Sequence, residues 1–236
     1  MTTFLSTNQI KNHITGPSID IDYYRKYGDV LPANGLLVYQ DNGADVLAVA
    51  HLDYVKWNKP RLHTHHITQC PQLDDRLGVA TILEWLPKLG KFDVLLCDKE
   101  EIGQTTANDF KPNKHYRYAV EFDRQGSDCV FYQYGKEDME YCFKEAGWDV
   151  GYGSFSDISA LDHLECQCVN IGIGYHGQHT DKCYADLSEV NTQLTKFAVW
   201  YNYYGHLSFP YEPKPQQFNY RGWLNDDDYL RDFRVP

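Results

Sequence analysis

A chain of 236 residues, 42% of them hydrophobic, can bury one large core and needs no disulfide or metal staple to fold. Its formal charge of −11 repels phosphate backbones, which excludes nucleic acid as a partner but leaves a cationic metal open. No apolar run reaches the roughly 18 residues that cross a bilayer.

The start, MTTFLSTNQIKNH, lacks the basic and then apolar layout of a signal peptide. NGLLVYQ (34–40), the turn DNGAD and VLAVAHLD (46–53) read as a hairpin-like pair of strands. Residues 56–72 form a loop rich in His and Pro. From Asp75 the pattern turns helical, with Val79, Ile82, Leu83 and Leu86 on one face and Pro87 and Gly90 ending it. FDVLLC (92–97) is a buried strand. YRYAVEFD (116–123) and DCVFYQY (128–134) are two more, joined by RQGS. KEDMEYCFKEAGW (136–148) is helical, and SDISALDHL (156–164) is a short helix with Ser156 or Asp157 as its N-cap. CQCVNIGIGY (166–175) is a strand. Leu187, Val190, Leu194, Phe197, Tyr201 and Tyr204 mark a long amphipathic helix.

Strands alternating with helices predict an α/β three-layer sandwich over residues 1–205, a mixed, mostly parallel sheet flanked by helices. Residues 206–236, rich in proline, aromatics and acid, read as a tail that wraps the domain or a partner, with the run NDDDY (225–229) solvated. Seven cysteines are scattered without a CxxC pair. That argues against a thiolate zinc site and for a reducing cytoplasm.

Each apolar strand ends in the same way. VLAVAHLD runs into His51 and Asp53, VLLCDKEE into Glu100 and Glu101, YAVEFD into Asp123, and VNIGIGYHGQH into His176 and His179. Asp74 and Asp75 precede the first predicted helix. In an open α/β sheet the ligand site lies beyond the carboxyl ends of the strands, so these side chains should converge. Convergent His, Asp and Glu without Cys make a first-row metal site, most simply zinc, with cobalt or manganese as alternatives. There are more carboxylates than one ion needs, and a pair of divalent ions about 3.5–4 Å apart would use them.

The succession HLD, LDDRLG, EEIG, EFD and a final His-Thr resembles the co-catalytic dizinc exopeptidases, the superfamily of peptidase T and of the bacterial leucyl and glutamyl aminopeptidases. The resemblance covers about residues 46–187. It implies that His51 and Asp123 hold one metal, Glu101 and His179 the other, and Asp74 both. Asp75 takes the bridging place if the register shifts by one. The resemblance further implies that the peptide bond after Asp74 is cis, that Asp53 orients the His51 imidazole, and that Glu100 is the general base. His179, followed by Thr180 and Asp181, fits the family form better than His176, which becomes a pocket residue or an exposed polar one.

His63, His65 and His66 read either as a solvated loop or as substrate contacts. Asp157 is a helix cap or a pocket wall, and Tyr175 is core. The short interval between Asp123 and His179 leaves no room for a lid, so a minimal catalytic domain is expected. The implied activity is cleavage of a peptide or small amide substrate, foremost as an aminopeptidase on short peptides. The alternatives are an amidohydrolase acting on N-acyl amino acids and a binding module that keeps a structural metal.

Overall fold

The computed structural model describes residues 4–17, 19–135 and 138–213. The main sheet has eight strands in the order β1 (Asp29–Val30), β2 (Val38–Gln40), β6 (Asp93–Cys97), β3 (Val46–His51), β7 (Tyr118–Arg124), β10 (Cys168–Gly172), β8 (Cys129–Val130) and β9 (Val150–Gly151). The four central strands, β6, β3, β7 and β10, run parallel, while β2 and β8 join them antiparallel. A parallel sheet is covered on both faces, which is why these strands read as near-continuous apolar runs; every residue of β3, β6 and β10 is buried.

Helix α3 (Leu73–Ala80) and α5 (Leu187–Tyr204) lie on one face of the sheet. Phe197 and Trp200 of α5 meet Phe122 and Tyr118 of β7 edge-on. Helix α4 (Asp138–Glu145) joins this layer through Phe143, 4.4 Å from the Trp200 ring centroid. The opposite face is covered by short 3-10 turns, Thr106–Asp109, Asp157–Ala160 and Asp162–Leu164. The α/β sandwich therefore stands, but the 156–164 segment is 3-10 turns instead of one helix; Ser156, not Asp157, is its cap.

Residues 34–53 do not form a hairpin. β2 pairs with β6, which lies between β2 and β3. Asp93, at the start of β6 and fully buried, explains the detour. Its carboxylate accepts the N–H groups of Asn42 and Ala44 at 2.9 and 3.0 Å, leading the connecting turn past the end of β6. β8 likewise does not pair with β7, since β10 separates them.

The 56–72 stretch is not all loop. β4 (Arg61–Leu62) and β5 (His66–Thr68) build a second sheet of four strands with β11 (Tyr175–His176) and β12 (Tyr184–Asp186). Helix α1 (Thr7–Ile14) begins in a capping box between Ser6 and Gln9 and packs Ile10, His13 and Ile14 inward. Helix α2 (Ile21–Tyr24) follows it. The chain between Asp123 and His179 supplies strands and helices of these same layers.

At the far end, Phe209 donates its N–H to Arg117 and accepts from Gln167, so residues leaving α5 lie along the sheet. The run 225–229 lies outside the described residues. All seven cysteines are free and buried, and among the described residues no helix is long and apolar enough to cross a membrane.

Candidate metal centre

The carboxyl ends of β3, β6 and β7 and the turn after β11 come together at one edge of the sheet. His51 is the last residue of β3 and is wholly buried. Its Nε2 lies 3.4 Å from Asp74 Oδ1 and 3.3 Å from Asp123 Oδ1. His179 Nε2 lies 2.9 Å from Asp74 Oδ2 and 3.0 Å from Glu101 Oε2. The two oxygens of Asp74 thus face one histidine each. Two groups of potential ligand atoms result, His51–Asp74–Asp123 and Asp74–Glu101–His179, each with its atoms within 4.8 Å of one another.

Local structure explains how each side chain arrives. The peptide bond between Asp74 and Asp75 is cis, as the resemblance implied. Asp75 points away from the cluster. Its Oδ2 accepts the N–H of His51 at 3.3 Å and its Oδ1 that of Gly78 at 3.0 Å, which pins the start of α3 to the end of β3. A Cβ on Gly78 would sit 2.1 Å from Asp75 Oδ1, so the glycine of LDDRLG makes room for this anchor. Tyr175 donates its hydroxyl to the Asp123 carbonyl at 2.7 Å from within the core.

After β6 the chain closes a turn. Asp98 accepts the N–H of Lys99, Thr106 donates its N–H to the Asp98 carbonyl, and Gly103 donates to the Glu100 carbonyl. Glu100 and Glu101 project from the 3-10 turn Glu100–Ile102. Asp53 accepts the N–H of Glu100 at 3.3 Å and of Glu101 at 3.2 Å, and its carboxylate also lies 3.4 Å from His51 Nδ1. His179 sits on a turn in which Gln125 accepts the N–H groups of Gly177 and Gln178.

The electrostatics are those of crowded buried acids. Burial, with Asp74 adding to it, pushes Glu101 up to about 7 and Asp123 up to about 6. Burial raises Glu100 to about 8, reinforced by the charges of Asp123, Asp157 and Asp74. Burial also works to raise Asp74, yet its contacts with His179 and His51 hold it well below the usual carboxylate range. The contact with Asp74 lifts His179 to about 9. Burial lowers His51, but Asp123, Asp53 and Asp74 outweigh it and leave the imidazole well above its ordinary value.

These residues fit a pair of divalent cations. His51 Nε2, both oxygens of Asp74, Glu101 Oε1 and Asp123 Oδ1 are buried and make no hydrogen bond, although buried polar atoms almost always do. A metal charge would stabilise buried carboxylates at ion-pair distance from two imidazoles, and His with carboxylate donors is a set that zinc takes.

The remaining histidines lie elsewhere, whereas Asp157 sits close enough for its charge to act on Glu100. His176 pairs with Glu189 at 3.0 Å and His66 with Asp186 at 3.1 Å. His65 lines a groove with Phe4, Leu5 and Leu187 that contains none of the clustered residues. Asp157 is fully buried and accepts a hydrogen bond from Thr105, which steadies the far end of the Glu100–Glu101 turn. Sequence reasoning missed Gln72, Thr105 and Asn58, which hold loops in place and belong to no chemical motif.

No family model and no curated protein matches the chain. Solved structures do. A tripeptidase from Staphylococcus aureus has a TM-score of 0.61 at 11% identity, covering 84% of this chain and 98% of that one. The aminopeptidase PepT from Bacillus cereus gives 0.53 at 12%, with 82% and 90% covered. A suspected zinc-dependent exopeptidase from Bacteroides vulgatus gives 0.52 at 15%, with 85% and 98% covered. The chain has the zinc-exopeptidase fold. In an open α/β sheet the ligand site lies beyond the carboxyl ends of the strands, and the His51–Asp74–His179 cluster stands there.

Proposed function

We propose that the protein is a metal-dependent hydrolase of peptide or amide bonds, an aminopeptidase acting on short peptides. The observation that carries this reading is the single carboxylate of Asp74 facing His51 with one oxygen and His179 with the other. Asp123 completes one side and Glu101 the other. Bound there, two divalent ions would supply Lewis acidity toward the scissile carbonyl and a lowered pKa for the attacking water.

The chain's own residues do the rest. Glu100, half-buried and within reach of the charges of Asp123, Asp157 and Asp74, takes the proton of the attacking water and passes it to the leaving amine. Asp53 fixes the backbone of that base and holds His51 from behind. The surrounding carboxylates favour an ammonium end of the substrate over a free carboxylate. Lys56, the basic residue that follows Asp53 most closely, is paired with Asp181 at 2.5 Å and so offers little counter-charge.

The test is to load the protein with zinc, cobalt or manganese and compare an aminoacyl amide with its N-acetylated form. Cleavage of the free amine and loss on acetylation supports the aminopeptidase. A better rate on the acetylated compound would replace it with the deacylase reading. Metal uptake without turnover of any aminoacyl, N-acyl or C-terminal substrate would leave a binding module.

A further inference from the structure

His179 is the exposed member of the cluster, its side chain 48% accessible while His51 is fully buried, and it sits on a turn outside both sheets. Something other than strand packing must hold it. Two residues after it, Asp181 accepts a hydrogen bond from Asn58 Nδ2 at 2.7 Å. Asn58 is itself fixed by the buried amide of Gln72, which accepts the Asn58 N–H at 3.3 Å and donates to the Asn58 carbonyl at 2.8 Å. Gln72 is the N-terminal cap residue of α3, two positions before Asp74. A chain of contacts therefore runs from the helix that presents Asp74, through the backbone of Asn58, to the turn that presents His179. Lys56 also meets the same Asp181 oxygen, 47% exposed to its 63%, but unlike Asn58 it has, among the described residues, no buried partner that ties it to the start of α3.

We infer that Asn58 is a positioning residue that sets His179 against Asp74 and thereby governs the second metal position. The inference rests on the two-metal reading. Asn58 touches neither metal ligand; its side chain acts through Asp181, and its backbone anchor on Gln72 survives side-chain substitution.

The test is titration of the full-length, metal-free protein with Co²⁺ alone, followed by visible absorption. Wild type takes up two ions. Asn58→Ala keeps the first, held by His51 and Asp123, and weakens the second by about 10-fold, the low end of what a lost outer partner costs a metal site. The exchange variant Asn58→Asp with Asp181→Asn restores the amide–carboxylate pair in reverse and recovers the second affinity. Thermal unfolding of each metal-free variant checks that the fold is kept. If wild type binds two ions and Asn58→Ala does so equally well, or if the exchange variant recovers nothing, the inference is overturned and the two-metal reading stands. If wild type itself binds fewer than two, both fall.

Discussion

Asp53 holds Glu100 by its backbone: the carboxylate accepts the Glu100 N–H at 3.3 Å and, with its other oxygen, the Glu101 N–H at 3.2 Å. One side chain therefore places two neighbouring glutamates that the proposed mechanism uses differently. It also backs His51, so both halves of the centre depend on it. Asp53→Asn keeps the size and one acceptor oxygen but loses the charge and one amide contact. The expected outcome is a fall in kcat of about 10–100-fold, the usual cost of losing an outer-shell partner. Asp53→Ala should fall further and bind metal more weakly. Steady-state kinetics alongside metal analysis check this, and wild-type kcat in both variants would remove Asp53 from the centre.

Glu100 and Glu101 are adjacent in the chain yet differ in what they face. Glu101 Oε2 is 3.0 Å from His179, whereas Glu100 makes no ion pair among the described residues. Glu100→Gln should retain metal and fold and lose about 10²–10⁴-fold in turnover, the range of general-base catalysis. Glu101→Gln should lower metal content first and activity in consequence, with excess metal restoring part of it. Exchanged phenotypes would mean that the two glutamates have the opposite roles.

The parallel strands were legible because a strand buried on both faces is an unbroken apolar run, and the run stops where the chain leaves the sheet. Of the acids and imidazoles at or after those stops, His51, Glu101, Asp123 and His179 come together with Asp74, while His176 turns to Glu189 instead. Pairing order was less legible. The 34–53 segment looks like a hairpin until Asp93, an acid inside an apolar strand, is seen to hold its turn. The small sheet left no pattern, since β5 buries only Ile67 and its neighbours are polar or exposed. Helix α1 did carry a sign, the Ser6–Gln9 capping box, but a polar His13 fills its inner face and hides the periodicity. The support Gln72 gives Asn58, and the hold of Asp53 on the Glu100 and Glu101 amides, work through backbone groups, which sequence does not display.

Asp93 offers a test of the fold separate from the centre. Tyr39 and Tyr116 each donate a hydroxyl to Oδ2 at 2.8 Å, two backbone amides bind Oδ1, and Lys114 pairs with Oδ2. Burial would raise this carboxyl, but the donors led by Lys114 lower it. Its stabilisation is therefore present above the ordinary aspartate value and lost as the pH falls through the lowered one. Asp93→Ala leaves several donors unmatched and should cost about 3 kcal/mol, read as a reduced midpoint in urea with the slope unchanged. Metal binding by the folded fraction should not change, because Asp93 begins β6 and the glutamates follow its other end. A loss below about 0.5 kcal/mol, the scale of an ordinary surface substitution, would contradict the pivot role.

The clustered charges predict that the metal-free and metal-loaded proteins respond to pH in opposite ways. In the metal-free centre His179 is raised to about 9, so its imidazolium stabilises fully below the ordinary histidine value near 6.5 and that contribution is lost as the pH climbs through 9. Glu101, at about 7, and Glu100, at about 8, are also raised, so ionising them in the fold costs stability from roughly pH 4.5 upward. Every one of these shifts gives the native state more bound protons than the unfolded chain between about pH 4.5 and 9, so together they lower stability across that window, while the buried His13, shifted down, opposes them below about 6.5. Asp74 and Asp53, shifted down, act only at lower pH. Metal ions require the same groups deprotonated, so zinc affinity should rise over that window, with protons released on binding. Denaturation of the chelated protein at pH 5.5 and 8.5 checks the first slope. Zinc titration calorimetry in buffers of different ionisation enthalpy counts the protons. A metal-free protein more stable at pH 8.5, or zinc binding at pH 7 with no proton released, would show that these side chains do not form one electrostatic centre.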